Sequence, residues 1–233
     1  MKPFDFSKLL SACDEVAQMY APDIVFIGGI AVYLHAVNHE GTRALAETTV
    51  DADFYISMTA MTDLRDVEEL QQNSRLSKHT FQRAGHSFVV HTERLAELPV
   101  PYSEVAAHAV KYDNVAVAAL EDLLTLKLEA AADRYDSVHG QKDAKDVIRI
   151  LLLAGEIPFD ADRAVKYMQD RHFERLALIV KGPEFMALAE GNAKQAKGIR
   201  QKATLSFERI AKAYASLDED SPEEPAGIPK HTG

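Results

Sequence analysis

A chain of 233 residues with 47% apolar and 27% charged side chains has the make-up of an ordinary globular protein, with material for one sizeable domain or two small ones. A formal net charge of −10 argues against a protein that coats nucleic acid non-specifically, and Cys13, the only cysteine, excludes an internal disulfide and any cysteine-rich zinc site. No apolar stretch reaches the length of a membrane span and the first residues carry no apolar leader, so the expectation is a cytoplasmic protein with no membrane association.

In chain order, residues 6–20 read as a helix. DIVFIGG (23–29) reads as a buried strand that ends in Gly28 and Gly29, with IAVYLHAV as a helix leaving it. TVDADFYIS (49–57) has strand character with period two: Val50, Ala52, Phe54 and Ile56 point one way, and Asp51, Asp53, Tyr55 and Ser57 the other. A polar helix is expected over 61–72, with Leu64, Val67 and Leu70 as its inner edge. A strand follows over 86–93 (HSFVVHTE), then a hairpin turning at Asp113-Asn114. From 120–135 onward the pattern is helical, with segments at 143–154, 161–170, 172–180 and 184–216. The tail from Asp218 is acidic and proline-rich, and is expected to be disordered. The fold class is therefore α+β: an α/β part with a small mixed β-sheet over 1–115, an all-helical part over 116–217 that closes one side of a cleft, and a tail over 218–233.

Asp51 and Asp53 stand at i and i+2 of a strand, so both carboxylates leave one face. Held that close they repel unless a cation lies between them, and a hard divalent ion with oxygen ligands, Mg²⁺ or Mn²⁺, is the usual answer; the alternative is a pair of solvated acids on an edge strand. Glycines at a strand-to-helix junction let the backbone approach a phosphate, or merely supply a tight turn. Together, a phosphate cradle and an acid pair on neighbouring strands can hold a nucleoside triphosphate (NTP) and its metal for in-line attack.

In the helical part, Leu120, Leu123, Leu124, Leu128 and Ala131 make an apolar stripe, and Lys127 falls inside it. A lysine there either extends along its stem to water or meets an anion. Arg134 lies seven residues on, along the same stripe. In GQKDAKDVIRILLLA, Val147, Ile150, Leu151 and Ala154 form a buried edge that Asp143 and Asp146 continue. Asp146 is expected to point inward, toward Lys127 or Arg134, whereas Asp143 also fits a first helical turn, where the dipole favours acids. Lys194, Lys197, Arg200, Lys202, Arg209 and Lys212 form a basic stretch, readable as a solvated helix face or as an RNA dock. His35 reads as a packed histidine.

GGIAV…RALAETTVDADF resembles the Gly-Gly and Asp-x-Asp signature of the nucleotidyltransferase superfamily, built on a DNA polymerase β-like palm. LEDLLTLKLEAAADRYDSVHGQKDAKDVIRIL is similar to the helical segment of AbiEii/MenT-type nucleotidyltransferases, the toxins of type IV toxin–antitoxin systems. The resemblance covers roughly residues 23–153. It implies transfer of a nucleotidyl group from an NTP to an acceptor hydroxyl, such as a tRNA 3′ end, with a cognate antitoxin as a further partner; the alternative is a small-molecule acceptor of the aminoglycoside kind, which the acidic net charge suits slightly better. In its terms Asp51 and Asp53 hold the metal, Lys127 and the Gly28–Gly29 junction take the triphosphate, Arg43 and Thr49 contact phosphate, and Asp146, with Asp143, supplies the acid of the helical segment. The superfamily usually adds a third carboxylate on a later strand. Here that position is expected to hold His91, with Glu93 on the same face; either Glu93 replaces the acid, or His91 serves as base or ligand, or the register differs, and the chain has lost catalysis if none of them substitutes.

Overall fold

The computed structural model describes residues 5–73, 78–92 and 98–219. A mixed seven-stranded sheet has the spatial order β3-β4-β5-β2-β1-β7-β6. Its strands are β1 (Ile24–Ile27), β2 (Asp51–Ile56), β3 (Gln71–Asn73), β4 (Lys78–Arg83), β5 (His86–His91), β6 (Val110–Tyr112) and β7 (Val115–Val117). The order of β1, β2, β5 and the Asp113 hairpin follows the sequence reading. β3 and β4 were not legible: β3 is wholly polar, and the helix expected over 61–72 stops early. Ser57 caps that helix, α4 (Met58–Val67), by accepting from the Ala60 amide at 3.1 Å. Glu68 is extended, and Val67, expected inside, is exposed.

Side-chain alternation along β2 divides the sheet. Phe54 faces its partner Phe26 on β1, with ring centroids 5.9 Å apart, and Phe81, 6.0 Å away, which stacks on Phe88 at 5.1 Å. All four rings are fully buried, and each contributes about 1.5–3 kcal/mol of apolar burial. The pleat therefore sends Asp51 and Asp53 to the other face, and Val50, expected beside Phe54, lies just outside the strand and is exposed.

Two helices lie against the sheet early in the chain: α1 (Phe6–Tyr20), and α2 (Gly28–Asn38), which touches both β1 and β2. The short α3 (Glu40–Arg43) follows α2, and α5 (Tyr102–Ala107) precedes the hairpin. The helical part opens with α6 (Leu120–Asp133), packed on α7 (Val138–Ala154). α8 (Ala161–Val165), α9 (Asp170–Lys181), α10 (Glu184–Leu188) and α11 (Ala193–Glu219) complete it. α10 and α11 were expected as one helix; Glu190 and Gly191 take positive φ (49° and 83°) and break it, and the Asn192 side chain accepts from the Gln195 amide to start the second. Of the tail, Asp218 and Glu219 belong to α11, and residues 220–233 lie outside the described region. No described helix is long and apolar enough to cross a membrane.

α2 couples the halves, since it contacts β1 and β2 on one side and α6 and α7 on the other. That packing brings the inward stripe of α6 over the acidic end of β2.

Candidate active site

β1 ends at Ile27 and α2 begins at Gly28, whose φ of 69° lies in the left-handed region. A Cβ there would sit 2.6 Å from Asp53 Oδ2, so both the turn and the carboxylate behind it require glycine. At Gly29 a Cβ would meet Thr49 at 3.1 Å. The glycines thus let the start of α2 pass directly over the acid-bearing end of β2.

Asp51, Asp53, Gly28, His91, Lys127, Arg134 and Asp143 line one cavity of about 260 Å³, with Ile27, Thr80, Val89, Leu126 and Ala130 as its remaining walls. A smaller cavity of about 80 Å³ beside it shares Asp51, Asp53, Lys127, Arg134 and Asp143 with the first and adds Gly29, Thr49, His139 and Lys142. Both aspartates are half-buried at a cleft rather than splayed into solvent. Thr49 donates to Asp51 Oδ1 at 3.0 Å.

Lys127 is buried and meets anions: its Nζ lies 2.7 Å from Asp146 and 3.2 Å from Asp143. Burial alone would favour the neutral amine, but Asp146 and then Asp143 outweigh it, with a contribution from Asp53, and its pKa is raised above the usual lysine value. Asp143 also takes Arg134 at 2.6 Å, and Asp146 takes Arg149 at 2.7 Å. Arg149 continues to Glu47 at 2.6 Å and to the Leu45 carbonyl at 2.6 Å. Asp143 is not in a first turn: Ser137 caps α7 ahead of Val138, so Asp143 faces the cavity from the helix body.

His91 lines the cavity beside Asp53. Its Nε2 lies 3.2 Å from Asp53 Oδ1; an ionised carboxylate only accepts, so Nε2 carries the hydrogen. Its Nδ1 is buried with no partner among the described residues. In this arrangement His91 orients Asp53. The β5 residue level with Asp53 is Val89, and Glu93 lies outside the described residues.

Other expectations fall away from the site. Arg43 donates to the Val37 carbonyl at 2.9 Å, at the far end of α2 from the glycines, roughly 15 Å along an axis rising 1.5 Å per residue. Tyr55, which alternation puts on the same side of β2 as the acids, is buried against Tyr102 and lines neither cavity. His35 is indeed packed: Nε2–H donates to the Ala118 carbonyl, Tyr112 OH donates to Nδ1, each at 2.9 Å, and burial lowers its pKa. In the basic stretch, Arg200 and Arg209 tie α11 to the Gly182, Ala154 and Phe159 carbonyls, leaving the four lysines exposed. Sequence reasoning missed Lys142, Arg149, Thr80 and Val89; only the spacing of Lys142 and Arg149 with Asp143 and Asp146 on one helix hinted at them.

The architecture matches the crystal structure of an antigenic nucleotidyltransferase-like protein from Paracoccidioides brasiliensis, with a TM-score of 0.51 at 16% identity over 79% of this chain and 93% of that one. The fold is nucleotidyltransferase-like. JHP933 from Helicobacter pylori aligns over 92% of this chain and 95% of its own, at 14% identity and a TM-score of 0.48. No protein-family model and no curated protein matches the sequence.

In this nucleotidyltransferase-like fold the donor set for a metal is sparse. Among the described residues no group of three His, Cys, Asp or Glu side chains is arranged to hold an ion. Two carboxylates from one strand still fit Mg²⁺ or Mn²⁺ in the mode where substrate phosphates and water complete the shell.

Proposed function

We propose that the chain is a metal-dependent nucleotidyltransferase that moves a nucleotidyl group from an NTP to an acceptor hydroxyl. The observation that carries this reading is the placement of Asp51 and Asp53 on one face of β2, at a cavity roofed by the Gly28 turn, in a nucleotidyltransferase-like fold. Asp51 and Asp53 would hold the ion, which when bound draws off charge developing on the phosphate oxygens. Gly28 and Gly29 let the backbone close on the phosphates without displacing Asp53. His91 holds Asp53 in orientation, and the Lys127 cluster fixes the opposite wall. The acceptor oxygen attacks the α-phosphorus, its proton passes to a carboxylate at the cleft, and the bond to the β-phosphate breaks with pyrophosphate leaving. A tRNA 3′ end as acceptor, a toxin role and a cognate antitoxin rest on the resemblance of the helical segment; the exposed lysines of α11 give RNA a place to dock.

One observation favours a second reading. Val89 stands level with Asp53 and the free nitrogen of His91 is buried, as in a nucleotide-binding module that has lost catalysis. Incubation with each α-³²P-labelled NTP, Mg²⁺ or Mn²⁺, and total tRNA or small hydroxylated amines separates the readings. Label on RNA supports the proposal, label on a small acceptor changes only the acceptor class, and NTP binding without transfer favours the second reading.

A further inference from the structure

The cavity and its smaller neighbour gather three long-chain cations: Lys127, Arg134 and Lys142. Two are already committed. Lys127 is held between Asp143 and Asp146, and Arg134 lies on Asp143. Turning Lys127 toward a substrate phosphate would take a buried ammonium from two buried carboxylates and leave Asp143 with Arg134 alone and Asp146 with Arg149 alone, which is costly in a poorly solvated site. Lys142 differs. Its Nζ donates to the Thr49 hydroxyl at 3.2 Å, and no carboxylate among the described residues lies within ion-pair distance of it. Thr49 passes its own hydrogen to Asp51 at 3.0 Å, so this ammonium stands one hydroxyl away from the acid pair. It also stands 3.6 Å from the point where a Cβ on Gly29 would project, beside the start of α2.

We infer that Gly29, Thr49, His139 and Lys142 form the subsite for the substrate's outer phosphates, with Lys142 as its cation and Lys127 as a positioning residue for the helical wall. The inference rests on the nucleotidyltransferase reading and names which group it uses. The smaller cavity is far below the size of a nucleoside site, which suits a phosphate group alone. Lys142 keeps two ammonium hydrogens beyond the one given to Thr49, and an anion entering there displaces no existing ion pair.

Tripolyphosphate with Mg²⁺ serves as a probe independent of base and acceptor. Calorimetric titration of the whole chain should show binding to wild type and a dissociation constant about ten-fold or more higher for Lys142→Met, whose melting temperature stays near that of wild type. Lys142→Arg should recover most of the affinity. Lys127→Met should act mainly on stability, with a clear drop in melting temperature. Wild-type binding of tripolyphosphate that Lys142→Met leaves unchanged overturns the inference alone. Wild type that binds neither tripolyphosphate nor any of the four NTPs removes the nucleotidyltransferase reading along with it. Where Lys127→Met does not fold, the Lys142 pair decides by itself.

Discussion

On the helical wall of the cleft, Lys127, Arg134 and Arg149 interleave with Asp143, Asp146 and Glu47 in a chain of ion pairs, much of it buried. On the strand wall, Asp51 has a threonine hydroxyl and Asp53 an imidazole N–H, and Asp51 has no ion pair among the described residues. The buried acids of the helical wall are paired without a ligand, whereas on the strand wall two carboxylates of like charge stand on one face of β2 beside a cavity. The contrast gives the two acid pairs different surroundings despite their similar look in the sequence.

Four variants break or sharpen that contrast. Asp146→Ala should be the most damaging, since it leaves Lys127 and Arg149 facing each other in a buried site; about 3–5 kcal/mol of stability should be lost in urea unfolding. Asp53→Asn should unfold within about 1 kcal/mol of wild type, because relieved repulsion offsets the weakened bond from His91, yet transfer should fall about 100-fold or more, equivalent to about 2.7 kcal/mol of barrier. Gly28→Ala should cost about 1–2 kcal/mol through its positive φ and push Asp53 aside, lowering transfer as well; circular-dichroism melts and the labelled-NTP assay read both effects.

The smallest effect is one of pH and lies away from the cleft. Burial pushes the Asp122 carboxyl up to about 6, opposed in part by Arg163, against about 4 in an unfolded chain. The folded state thus binds this proton more tightly: the contribution is fully present below about pH 4 and is lost as pH rises through about 6. Asp122→Asn should therefore gain about 1–2 kcal/mol over wild type at pH 7.5 and little at pH 4, measured by denaturant unfolding at both values.

Period-two alternation around DADFYI was enough to put both acids on one face, and a lysine inside the Leu123–Leu128 stripe was enough to mark Lys127, though not to choose between water and an anion for it, because each breaks an apolar pattern that the rest of its element keeps. Lys142 and Arg149 break no pattern; they look like surface residues of a polar helix, and only the packing of α7 against α2 and the Leu45–Thr49 segment turns them inward. β3 carries no apolar residue at all, so its pairing with β4 leaves no trace in composition. Arg43 shows the opposite failure. It sits eight residues before Asp51, yet it lies beyond the distal end of α2 and the chain spends those residues returning to Gly29, so nearness in sequence became distance in space.

The account depends most on the claim that the strand wall takes up a divalent ion together with a nucleotide. Electron paramagnetic resonance of Mn²⁺ titrated into the protein, with and without α,β-methylene analogues of the four NTPs, tests it directly. The account predicts tight uptake by wild type only when an analogue is present, and loss of that uptake in Asp51→Asn and in Asp53→Asn while both remain folded. Uptake that is the same in all three proteins, or absent from wild type with an analogue bound, would contradict it.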